Sequence, residues 1–131
     1  MKNFSGTIQP AVSAELTAAN AAEVRRQVTQ AFVHLERAHV LGQCSTVQHV
    51  RVHANMLAWA LRQRQWGECA GQLLRLVGAL TKTPFGLVPT GNTGGANVSP
   101  FRRMPIPEDL QRVIDEARSR SGRPGDNRLA E

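Results

Sequence analysis

From residue 13 to residue 80 the apolar side chains recur at steps of three and four, the spacing of one face of an α-helix. Val24, Val28, Ala31, Phe32, Leu35, Ala38 and Gly42 form one such stripe and predict a helix over Val24–Gln43. Val50, His53, Met56, Leu57, Ala60 and Leu61 form a second, on a helix from Val47 to about Arg64. Cys69, Leu73, Leu76 and Leu80 align on a third, from Trp66 to Leu80, after a break near Gln65. Between the first two, Gly42-Gln43-Cys44-Ser45-Thr46 supplies a stop and a fresh N-cap at Ser45 or Thr46. Ser13 is the expected N-cap of the whole helical region, which leaves residues 1–12 as a flexible N-terminus.

Sliding the sequence by 38 positions lays Gln27-Val28 on Gln65-Trp66, Ala31 on Cys69, Leu35 on Leu73 and Arg37 on Arg75. Two stacked helical hairpins, in the manner of tetratricopeptide-like units or a small bundle, would give that repeat.

The pattern stops at Thr83. Residues 83–107 hold five of the seven prolines and four glycines, which no helix survives. Phe85, Leu87, Val88, Val98, Phe101, Met104 and Ile106 punctuate the stretch, so it is expected to be an ordered strap anchored on the helices by its apolar residues. Pro107-Glu108-Asp109 then opens a last helix, with acids at the positive end of its dipole and a stripe of Leu110, Val113, Ile114 and Ala117. Residues 119–131 read as a disordered tail. The expected architecture is all-α: a single helical domain over residues 13–118, built of antiparallel hairpins with a Gly/Pro-rich strap and a C-terminal helix.

Composition narrows the function. At 131 residues the chain has room for one domain. Its charge of +6 invites nucleic acid as a partner, but the 14 arginines are dispersed, tyrosine is absent, and only four Phe and two Trp offer faces for base stacking. A solvated Arg-rich surface explains the charge better, and a basic nucleic-acid-associated protein ranks third among the readings. Cys44 and Cys69 make neither a disulfide framework nor a paired Cys-x-x-Cys motif. No apolar run is long enough to span a bilayer and the start lacks a signal-peptide core, so a cytoplasmic protein without membrane contact is expected. The Gly91–Asn97 segment lacks the spacing and the lysine of a phosphate-binding loop.

The chemistry lies in the histidines. All four fall within twenty residues, and three join an acid in the pattern Glu36-x-x-His39, a turn, then His49-x-x-x-His53. Residues three or four apart share a helix face. Folding the hairpin at Cys44 puts His39 and His49 at one level, with Glu36 and His53 about one turn deeper. His53 sits beside Ala60 near the centre of its apolar stripe, so His49 and His53 face inward and need partners. Three imidazoles and a carboxylate make a ligand set for a divalent transition metal, zinc or iron, with the Cys44 thiolate at the turn as a further ligand. The competing reading is a metal-free cluster in which the same histidines hydrogen-bond Glu36 and a backbone carbonyl. His34 is offset by a turn and is expected at the edge.

The strings Leu35–Gln43 (LERAHVLGQ), His49–His53 (HVRVH), Gly71–Arg75 (GQLLR), Gly91–Ser99 (GNTGGANVS) and Met104–Pro107 (MPIP) together resemble a family of short bacterial proteins known only as a domain of unknown function. The resemblance covers roughly residues 13–114. Members of that family are often encoded near heavy-metal efflux and resistance genes, which implies a metal role and assigns no catalytic residue. Arg25-Arg26-Gln27 stands where the family would have a Gly-Asp turn, and the first helix is therefore expected to run on unbroken. The leading expectation is a small metal-binding protein with an accessory role in metal tolerance, whether or not it is an enzyme. The alternative is a helical-repeat interaction module, with a protein partner or a second copy, whose histidines are a structural core.

Overall fold

The structure, a computed structural model, describes residues 3–122. They form five α-helices, α1 (Phe4–Val24), α2 (Val28–Gly42), α3 (Thr46–Arg62), α4 (Trp66–Lys82) and α5 (Glu108–Arg120), with a 3₁₀ turn at Thr83–Phe85 and no strand among them. The fold is all-α, as the periodicity predicts. Helices α1 and α2 pair as one hairpin and α3 and α4 as a second; α2 lies on α3, and α5 closes over α1. No helix among the described residues is long and apolar enough to cross a membrane.

The repeat of 38 positions is a repeat of backbone. After α1 the amides of Arg25, Arg26 and Gln27 bond to the carbonyls of Ala21, Glu23 and Ala22; after α3 those of Gln63, Arg64 and Gln65 bond to Trp59, Leu61 and Ala60. Each turn puts an arginine in the left-handed region, Arg26 at φ 59° and Arg64 at φ 54°. The expectation of an unbroken first helix is therefore corrected. The chain reverses at Arg25–Gln27 without glycine, because the hairpin buries enough surface to hold an L-residue in a conformation that costs roughly 1–2 kcal/mol.

The N-terminus is a second correction. Residues 4–12, expected to be flexible, are the first turns of α1, and the cap is Asn3, whose side chain accepts from the Gly6 amide, in place of Ser13. Pro10 lies inside this helix. It removes one backbone bond, yet Phe4, Ile8, Val12, Leu16 and Ala19 stay buried at helical spacing on either side of it. Packing outweighs the local penalty. Ser45 caps α3 as expected, accepting from the Gln48 amide.

Apolar anchors hold the strap in part: Ile106 packs against the core and Val88, Val98 and Met104 are half-buried, while Phe85, Leu87 and Phe101 are exposed. The rest of its grip is polar: the Arg75 guanidinium donates to the carbonyls of Gly94, Gly95 and Val98, and Glu68 accepts from the Ala96 amide. Asn92 folds the segment on itself, donating to Ser99 O and Arg102 O while accepting from the Gly94 amide. Helix α4 also departs from expectation. Its buried residues are Gln72 and Ala79, while Trp66, Leu73, Val77 and Leu80 are each more than half exposed. At the far end α5 continues through Arg120, past the expected start of the tail. Of that tail, residues 123–131 lie outside the described residues.

Candidate metal centre

His39 comes from the last turn of α2, and His49 and His53 lie one helical turn apart on α3. Because α2 packs on α3, the three rings meet inside the molecule, each at most 5% exposed. Their Nε2 atoms form a nearly equilateral triangle: 2.9 Å between His39 and His49, 3.1 Å between His39 and His53, and 3.1 Å between His49 and His53. The ring planes are inclined by 67°, 63° and 44° in those pairs, so the rings converge without stacking.

Each ring is held from behind through Nδ1. His39 Nδ1 donates to the backbone carbonyl of Asn92 at 2.6 Å. His53 Nδ1 meets Gln72 Oε1 at 2.6 Å. Gln72 Nε2 already donates to Glu68 and to Gly94 O, which leaves Oε1 to accept, so His53 carries its proton on Nδ1. His49 Nδ1 meets the Thr83 hydroxyl at 2.6 Å. Thr83 can donate or accept, so His49 is the ring free to hold its proton on either nitrogen. With the other two fixed as Nδ1–H, at least two lone pairs point at the centre of the triangle. A cation at that point would relieve the convergence. A divalent ion about 2.0–2.1 Å from each nitrogen would see N–ion–N angles of about 90–100°, and backing of each ring by a hydrogen-bond acceptor is the usual support of metal-bound histidine.

Burial keeps the three rings in their neutral form. Burial, then the charges that His53 and His49 would carry, hold His39 well below the ordinary histidine value. Burial followed by His53 pushes His49 down to about 3. Burial takes His53 down to about 4 against the opposing bond from Gln72. All three are neutral at pH 7, the form a metal requires.

Of the expected ligand set, His39, His49 and His53 come together with one ligand atom each within 4.8 Å of the others, while Glu36 and Cys44 stand outside that group. Glu36 is half-buried on α2, its carboxyl raised by burial and then by the nearby Glu68. The Glu68 carboxylate on α4 is close enough to act on Glu36, and Glu36 does not join the three rings. Cys44 is exposed on the α2–α3 turn, with its thiol outside the interior. His34 is an edge residue, paired with Glu15 at 2.7 Å.

Sequence reasoning missed the supporting residues. Asn92, Gln72 and Thr83 lie 53, 19 and 34 positions from the rings they hold. No local spacing links them. Gln72 is wholly buried in an otherwise amphipathic helix, and a glutamine on the inner face of α4 was the one visible signal. The glycines of the strap have a steric purpose here. Gly94, at φ 83°, lies so close to His39 that a Cβ would fall 2.5 Å from the ring.

No curated protein and no solved structure matches the chain. Residues 6–114 match the family described as "Protein of unknown function (DUF3703)", a span that contains the three histidines, Gln72, Thr83 and Asn92, and the chain belongs to that family.

Proposed function

We propose that this protein binds a divalent transition metal, zinc or iron, through His39, His49 and His53, and that it serves metal handling as an accessory factor in metal tolerance. One observation carries the reading: three Nε2 atoms lie 2.9–3.1 Å apart while every Nδ1 is engaged on the outside. A metal-free polar core would be expected to pair donors with acceptors. Here at least the Nε2 atoms of His39 and His53 face each other as two acceptors at 3.1 Å, and a buried site with uncompensated lone pairs is costly. The neutral, soft-to-borderline nitrogen set suits zinc or iron over calcium or magnesium, which prefer oxygen.

Protein stripped of metal and then given Zn²⁺ should melt at a higher temperature, because an ion bound only by the folded chain stabilises it by mass action. His49→Ala and His53→Ala should each abolish uptake measured by elemental analysis, and His34→Ala should leave it intact. Equal uptake by all three variants would overturn the reading.

The second reading, a helical-repeat interaction module with the histidines as its core, has the exposed apolar side of α4 in its favour. It predicts a melting curve indifferent to Zn²⁺.

A further inference from the structure

A cavity of about 310 Å³ opens onto the histidine triad, and all three rings form part of its wall. The rest of the wall comes from one side of α4 and from the strap. Leu74, Ala79, Leu87 and Val88 make it apolar, while Arg75 and Lys82 add positive charge. The volume stands at the small end of ligand-sized cavities.

Charge decides what belongs there. Three neutral imidazoles leave a bound divalent ion with both its charges, and no carboxylate joins the triad among the described residues. Glu68, the nearest acid in the hydrogen-bond network, is spent on Gln72 and the Ala96 amide. Arg75 is fixed beside the site by its bonds to the strap, and the Lys82 ammonium lies 4.7 Å from the centre of the Phe101 ring. A buried dication beside the Arg75 guanidinium is unfavourable unless an anion enters with it. Three protein ligands leave a coordination position open. Inorganic phosphate would answer the charge but leave the apolar wall unused, and a hydrocarbon would fill the wall but leave the ion uncompensated.

We propose that the cavity receives a small monocarboxylate with an apolar tail, its carboxylate on the ion held by His39, His49 and His53 and its tail along Leu74, Ala79 and Leu87. This rests on the metal reading above. It gives the site a ligand class and the strap a role as the wall that shapes it.

Cobalt(II) in place of the native ion reports both steps, because its visible absorption changes with its ligands. The cobalt-loaded protein is titrated with acetate, butyrate and hexanoate. Each should alter the cobalt spectrum, with affinity rising about fourfold per added methylene until the cavity is full. A Cβ on Gly78 meets nothing within 4 Å, and Gly78 lines the cavity, so Gly78→Leu fills it from the wall. That variant should keep the cobalt spectrum and acetate binding and lose the advantage of hexanoate. Leu74→Ser should weaken hexanoate alone, and serves if the first variant does not fold. Equal affinities for acetate and hexanoate on the cobalt protein overturn the ligand proposal and leave the metal reading standing. Hexanoate binding as tightly without cobalt also overturns it, as simple adsorption to apolar surface. Absence of any cobalt spectrum removes the metal reading, and this proposal with it.

Discussion

The buried amide of Gln72 fixes the tautomer of His53: Oε1 accepts the imidazole proton at 2.6 Å because the amide nitrogen is already committed to Glu68 and Gly94. Helix α4 thus orients an imidazole that belongs to α3. Gln72→Leu keeps the volume and removes the bonds. Metal affinity should fall about 10–100-fold, the usual cost of losing such support, while the fold survives with a loss of about 1–3 kcal/mol from the unpaired groups left behind. Competition against a chelating dye, with urea unfolding of the metal-free variant beside it, measures both. Unchanged affinity would show that Gln72 is only filler.

Gly94 and His39 touch so closely that no side chain fits between them. Gly94→Ala sets a methyl 2.5 Å from the ring at a φ that L-residues avoid. We expect a loss of about 2–4 kcal/mol from overpacking and backbone strain together, and markedly weaker metal binding as His39 is displaced. Gly78→Ala is the control. It sits in α4 with open space at its Cβ, and should gain up to about 1 kcal/mol from helix propensity. Thermal unfolding of the two variants in parallel should move in opposite directions.

Acid should destabilise the metal-free protein earlier than its carboxylates alone would. Well above pH 6.5, at about pH 7.5 and beyond, the three histidines are neutral both folded and unfolded, so they add almost no slope. Below it the unfolded chain takes up protons that the folded site refuses, because His49 and His53 are pushed down to about 3 and about 4 and His39 also lies well below its ordinary value. Stability therefore falls as pH drops from about 6.5 towards 4, by up to about 1.4 kcal/mol per pH unit for each histidine. Urea midpoints at pH 7.5, 6 and 5 test this, and a His49→Gln variant should show a shallower decline. A flat profile over that range would contradict the assignment of buried neutral rings.

Arg26 and Arg64 carry strain at matching points of the two hairpins. Glycine adopts this conformation without penalty and gives up some unfolded-state entropy in exchange. Arg26→Gly and Arg64→Gly should each stabilise by about 0.5–1 kcal/mol, and by nearly the sum when combined, since each lies in a separate turn. Denaturant midpoints of the single and double variants decide it. Opposite signs at the two sites would mean that the turns, though alike in backbone, differ in what the arginine side chains do.

Local information in the chain was enough for the α2–α3 hairpin. The three-and-four spacing of its apolar residues, the Ser45 cap and the i, i+4 placement of His49 and His53 are short-range properties, and they put two imidazoles on a buried face opposite a third. The same information misjudged α1, because Pro10 and Ser13 look like a boundary until Phe4, Ile8 and Val12 are seen packed beneath it. It also misjudged α4, where an apolar stripe promised burial that the neighbouring helices do not provide.

Direction was the quantity that spacing could not supply. Glu36 lies three residues before His39 on the same helix, yet it stays outside the group that the three rings form, and Cys44 is exposed on its turn. Only the tertiary structure brought Asn92, Thr83 and Gln72 behind the rings and laid Gly94 against His39. These contacts join segments up to 55 residues apart in sequence. Helix periodicity extends over a few turns of one rod, whereas the pose of one rod against another is set by all the side chains between them. The three histidines could thus be singled out from their own helices, and their orientation came from the rest of the chain.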